Sequence, residues 1–82
     1  MSSDGRNAVS SLQEKCQRLG EVCEFQLMRA EGESHKPMFT MEARLTVGDQ
    51  RLVVKGQGGS KKAAKESAAS NMMDQLHQIE TR

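Results

Sequence analysis

Lys61, Lys62 and Lys65 carry the clearest chemistry in this chain, because they follow directly on the run Gly56-Gln57-Gly58-Gly59-Ser60. At about 100° per residue, a helix puts Lys62 about 100° round the axis from Lys61, with Lys65 between them. The three ammonium groups then share one arc. Ser60 suits the N-cap, since its hydroxyl can accept from a free backbone N–H of the first turn, so a helix is predicted to start there. Lysines in a first turn face the positive end of the helix dipole, which costs on the order of 0.3–1 kcal/mol. An anion would use the free N–H groups, the dipole and the ammonium groups together. The plain alternative is a solvated lysine face.

Other residue types able to do chemistry are too scattered to form a site. Cys16, Cys23, His35 and His77 have none of the close C-x-x-C or H-x-x-x-H spacings of a zinc centre, so no metal or cofactor is expected. A P-loop needs Gly-Lys-Ser/Thr after its turn, whereas here Ser60 stands between Gly59 and Lys61. Glu14 has no companion carboxylate on its helical stripe, and neither cysteine has a base nearby in sequence, so a binding domain is expected and not an enzyme. The only aromatic residues, Phe25 and Phe39, fall in phase with the core, which leaves no stacking platform for single strands.

The chain has 82 residues and a formal net charge of +1, which bounds it to one small domain whose electropositive region must come from local clustering. That cluster is the stretch from Arg51 to Lys65, with five basic residues and no acidic one. Residues 1–6 are polar, carry no signal-peptide apolar core and read as a disordered lead-in, with the domain over 7–77 and a tail over 78–82. No run approaches the roughly 18 apolar residues of a membrane span. With two cysteines on core stripes, read as buried free thiols, the setting expected is a reduced, intracellular one, cytoplasmic or nuclear.

Hydrophobic periodicity supplies the elements that position these residues. Val9, Leu12, Cys16 and Leu19 mark one face of a helix from about Asn7 to Leu19, ended by Gly20. Asn7, Ser10 and Glu14 keep the same spacing displaced by two residues, roughly 200° round the axis, and so line the opposite, solvent face. Cys23, Phe25 and Leu27 alternate with Glu24, Gln26 and Met28 as a half-buried strand. Ala30 to Lys36 is polar and reads as a loop. Phe39, Met41, Ala43 and Leu45 form the clearest strand, and Gly48-Asp49 turns it into a third in which Leu52 and Val54 face inward. After a glycine turn, Ala64, Ala68, Met72 and Leu76 step along a second helix, widened by Ala69 and Met73. The result is an α+β fold in the order α-β-β-β-α, a three-stranded antiparallel sheet with both helices on one face and water on the other.

In that order and spacing, the blocks NAVSSLQEKC (Asn7–Cys16), GESHKPMF (Gly32–Phe39) and GQGGSKKAAKESAA (Gly56–Ala69) resemble the double-stranded RNA-binding domain. The third block is the specific one: it matches the family pattern G-x-G-x-S-K-K-x-A-K-x-x-A-A at every fixed position. The resemblance runs from Asn7 to about Leu76. It implies binding of A-form duplex by shape, over two successive minor grooves and the phosphates between them.

By the same resemblance, Asn7, Ser10 and Glu14 would face one minor groove, with Glu14 accepting from ribose 2′-hydroxyls. The loop bearing His35 and Lys36 would enter the next. Lys61, Lys62 and Lys65 would straddle the major-groove phosphates. The partner implied is double-stranded RNA, met by one domain of a larger protein, with a protein partner or a sister domain as a second class and no membrane. The competing reading is a protein-interaction or dimerisation module of the same fold; the complete lysine set favours RNA. Two positions depart from the pattern: Ala8 and Glu33 stand where many members have proline, and the second is expected to leave the loop freer to move.

Overall fold

A computed structural model of the chain describes residues 7–80, so the lead-in expected over residues 1–6 lies outside the described residues, as do 81–82 of the expected tail. The first helix, α1, spans Ala8–Leu19. Asn7 is its N-cap, in extended conformation, and Gly20 ends it at φ 73°. Glu21 N–H donates to the Cys16 carbonyl and Gly20 N–H to that of Gln17, a Schellman closure. Leu12 and Cys16 are buried and Val9 packs against them, but Leu19, expected on the same stripe, is 38% exposed. It is the last helical residue and has run past the edge of the core.

Strands β1 (Glu24–Glu33), β2 (Lys36–Val47) and β3 (Gln50–Gly58) form one antiparallel sheet in the order β1-β2-β3. The Gly48-Asp49 turn is as expected, with Val47 paired to Gln50. The polar stretch from Ala30 to Lys36 is not a loop. The ladder continues through Gly32–Pro37 and Glu33–Lys36, leaving only Ser34 and His35 as the turn. Ladder hydrogen bonds belong to the backbone, so polar side chains do not stop the pairing, and the freer loop expected from Glu33 is a paired hairpin. Gly32 holds φ 96° where an added Cβ would lie 2.5 Å from the Lys36 carbonyl oxygen, so only glycine fits. A register shift between Leu27 and Arg29 breaks the simple alternation of β1, and both Leu27 and Met28 are exposed.

The outer face of the sheet is not left wholly to water. Glu42, on the central strand, is 7% exposed and Thr40 is 9% exposed. Glu42 is flanked in register by Gln26 and Lys55, and it accepts from Arg44 Nε at 2.9 Å. Thr40 Oγ1 accepts from Gln57 Nε2 at 3.4 Å. A central strand has a neighbour on each side, so its outward residues can lose exposure in a way that no single-strand pattern records.

Helix α2 spans Lys61–Glu80 and buries Ala64, Ala68, Ala69, Met72 and Leu76 against the sheet and α1. It has no stop after His77, and half-buried Ile79 carries the stripe on, so residues 78–80 are its last turn where a tail was expected. The run Gly56–Gly58, expected as a turn, is the end of β3. An added Cβ on Gly56 would fall on the backbone of Ser67 and Ala68, and one on Gly58 would lie 2.6 Å from Ala63 Cβ. These glycines let strand and helix touch backbone to backbone, and only Gly59 and Ser60 remain to turn the chain. Asn71 Nδ2 then ties α2 to β3 by donating to the Lys55 carbonyl at 2.6 Å.

Candidate nucleic-acid interface

The start of α2 leaves donors open. Ser60 caps it, its Oγ accepting from Ala63 N–H at 3.0 Å, while the Ser60 carbonyl accepts from Ala64 N–H at 2.9 Å. Among the described residues the N–H groups of Lys61 and Lys62 meet no acceptor. Both side chains are exposed. Two open N–H groups, the positive end of a 20-residue helix and two exposed ammonium groups all attract an anion. Lys65 differs: it is half-buried and its Nζ lies over the Phe25 ring, 4.9 Å from the centroid. The single arc of three lysines is thus divided into two outward cations and one that leans on β1.

The start of α1 is closed by contrast. Asn7 Oδ1 accepts from Ser10 N–H at 2.8 Å and the Asn7 carbonyl from Ser11 N–H at 3.0 Å. The remaining two donors, Ala8 and Val9 N–H, both reach Glu66 Oε1, at 2.8 and 3.4 Å. Helix α2 therefore supplies part of the cap of α1 from 58 residues away. Asn7, the cap of α1, and Glu14 on the helix are exposed, and Ser10 between them is half-buried. Asn7 has a capping duty that the spacing argument did not assign, although an Asn one residue before a helix is an N-cap signal. Glu66 was not found at all, because nothing local marks it.

At the tip of the β1–β2 hairpin, the side chain of His35 is 74% exposed and its Nε2 lies 3.1 Å from Glu33 Oε1. Lys36 is exposed beside it. The base of this hairpin reaches the start of α2: Phe39 pairs with Gly58, and a Cβ added to Gly59 would come within 4.0 Å of the Pro37 carbonyl oxygen. The first turns of α2 thus adjoin both α1, through Glu66, and the hairpin, through Pro37.

Neither cysteine offers a nucleophile. Both are free; burial raises the Cys16 thiol above its ordinary range and, with Cys16 adjacent, pushes Cys23 up to about 11, so both stay protonated near neutrality. No group of three or more His, Cys, Asp or Glu among the described residues could hold a metal ion. No helix among them is long and apolar enough to cross a membrane.

Comparison with known proteins agrees with this fold. The family model described as double-stranded RNA binding motif matches residues 8–76. The chain is 43% identical over 79 residues to the RISC-loading complex subunit tarbp2 of Xenopus laevis, covering 96% of this chain and 21% of that protein. It is 44% identical over 72 residues to the RISC-loading complex subunit TARBP2 of Homo sapiens, covering 88% of this chain and 19% of that protein. The corresponding subunit of Danio rerio is 42% identical over 72 residues. The chain spans about a fifth of the length of these curated relatives.

Proposed function

The chain belongs to the double-stranded RNA binding motif family, with duplex RNA as its ligand class, and from that premise we propose how it reads the duplex. Asn7, Ser10 and Glu14 on α1 lie along one minor groove, and His35 and Lys36 at the hairpin tip enter the next. Lys61 and Lys62, with Lys65 behind them, hold the phosphates across the intervening major groove. What supports this reading most is the start of α2, where two open N–H groups and two exposed lysines meet at one helix end. Phosphate contacts supply affinity without sequence, while the ribose hydroxyls met by α1 supply the preference for RNA.

We read the domain as a binding module; its two thiols, held protonated by burial, suit packing better than nucleophilic chemistry. The relatives are named as subunits of a RISC-loading complex. We extend that setting to this chain as one RNA-binding domain of a larger protein, working inside the cell within a protein assembly. Its two free thiols suit such a reducing compartment.

The test is a titration with an RNA duplex of about 20 base pairs, long enough for the roughly 16 that such a domain spans, against a DNA duplex and a single strand of equal length at two salt concentrations. The RNA duplex is expected to bind most tightly, with affinity falling as salt rises. Equal binding of all three would reject groove reading.

A further inference from the structure

We propose that Glu66 is a positioning residue for duplex reading: its carboxylate fixes the start of α1, and with it Asn7, Ser10 and Glu14, against the lysine-bearing start of α2. The inference rests on the reading that both helices touch one duplex. On charge alone Glu66 is misplaced. It follows Lys65 directly and stands one helical turn after Lys62, so it lowers the positive potential where phosphate is to be held. Its hydrogen bonds explain the placement.

The local cap of α1 is incomplete. Asn7 serves the Ser10 and Ser11 N–H groups but leaves those of Ala8 and Val9, and Glu66 Oε1 takes both. The half-buried carboxylate also sits at the positive end of the α1 dipole, where a negative charge is favoured. The remaining contact between the helices is largely apolar, through Leu12 and Cys16. Apolar contact is non-directional, and it resists separation better than it resists sliding or rotation. A pair of directional bonds to one oxygen sets the register. The Lys15–Glu80 ion pair is a second tie between the helices, but with the Glu80 side chain 43% exposed it is screened by solvent.

Register matters because the grooves and phosphates of a duplex have fixed spacing. If α1 shifts relative to α2, the minor-groove contacts and the phosphate contacts cannot both be made at full strength. The phosphate contacts, carried by α2 itself, would survive. Loss of the Glu66 bonds is therefore expected to reduce the preference for RNA while sparing the salt-dependent part of binding.

Three substitutions separate reach from charge. Glu66→Gln keeps an acceptor oxygen at the same reach and removes the charge; Glu66→Asp keeps the charge and shortens the reach; Glu66→Ala removes both. Each is titrated with the RNA and DNA duplexes at two salt concentrations, and melting is recorded alongside. Glu66→Gln is expected to stay within about twofold of the unsubstituted domain on RNA. Glu66→Asp and Glu66→Ala are expected to lose roughly tenfold on RNA, the order of one net hydrogen bond to a charged group, with an unchanged salt slope and DNA binding equal or stronger.

If Glu66→Ala does not fold, the Asp and Gln variants decide. Equal RNA affinities for those two, or RNA and DNA affinities that fall together, would overturn the proposal. Failure of the unsubstituted domain to prefer RNA would instead reject the duplex-reading account beneath it, whatever the variants do.

Discussion

Gly56 of β3 and Ala68 of α2 meet backbone to backbone: a Cβ built on Gly56 would lie 2.7 Å from the Cα of Ala68. The glycines before the lysine cluster therefore belong to packing. They bring α2 onto the sheet, and the height of α2 above β3 sets where Lys61 and Lys62 emerge.

Gly56→Ala is accordingly expected to push α2 off the strand and to destabilise the domain by about 1–3 kcal/mol or more, as overpacking does. Gly20→Ala is the control. It strains a left-handed cap with nothing within 4 Å, and should cost only about 1–2 kcal/mol. Thermal melting of both variants gives the order, and a Gly56→Ala domain that melts with the parent would show that this close approach is not needed.

The lysines should separate into two classes. Lys61→Ala and Lys62→Ala are expected to lower the magnitude of the log K against log salt slope by up to about 0.9 each, taking duplex DNA as the guide, with no change in melting temperature. Lys65→Ala should change the slope less and melt slightly lower, because it also loses its cation–π contact with Phe25. Equal slopes and equal melting for all three variants would return Lys65 to the common arc.

A stability change with pH follows from the cysteines. Burial raises the Cys23 thiol from 9.0 to about 11, and Cys16 shifts in the same direction. Between those values the folded domain keeps a proton that the unfolded chain releases. The stabilisation is whole below pH 9 and is lost as pH rises through about 11. Melting temperatures should therefore fall over that window more steeply for the parent than for Cys23→Ala. Parallel curves would contradict the shift.

The element order, the strand phase of β2 and the caps at Ser60 and Gly20 were legible in the sequence because each rests on local spacing or on a single residue's conformational preference. Three features were not. The hairpin at Ser34-His35 is held by backbone pairing that polar side chains do not reveal. The burial of Glu42 belongs to its central strand, where it pairs with Gln26 and Lys55 on either side and accepts from Arg44. The Glu66 cap joins residues 58 positions apart. For the interface, lysine type and spacing located the start of α2, but only the fold turns Lys65 over Phe25 and links α2 to α1 and the hairpin.

The central claim is that α1 reads a ribose-lined groove and does not merely lie near phosphate, and Glu14→Ala tests it most directly. A carboxylate beside a polyanion opposes binding on charge alone, so its removal should tighten binding wherever the surface is only electrostatic. If Glu14 accepts from ribose 2′-hydroxyls, removal should weaken RNA duplex binding by about 0.5–1.5 kcal/mol, or somewhat more for a charged acceptor. DNA lacks that hydroxyl. The measurement is the affinity of the parent and Glu14→Ala domains for RNA and DNA duplexes of equal length at one salt concentration. The account predicts weaker RNA binding with DNA binding unchanged or slightly stronger; tighter binding to both would contradict it.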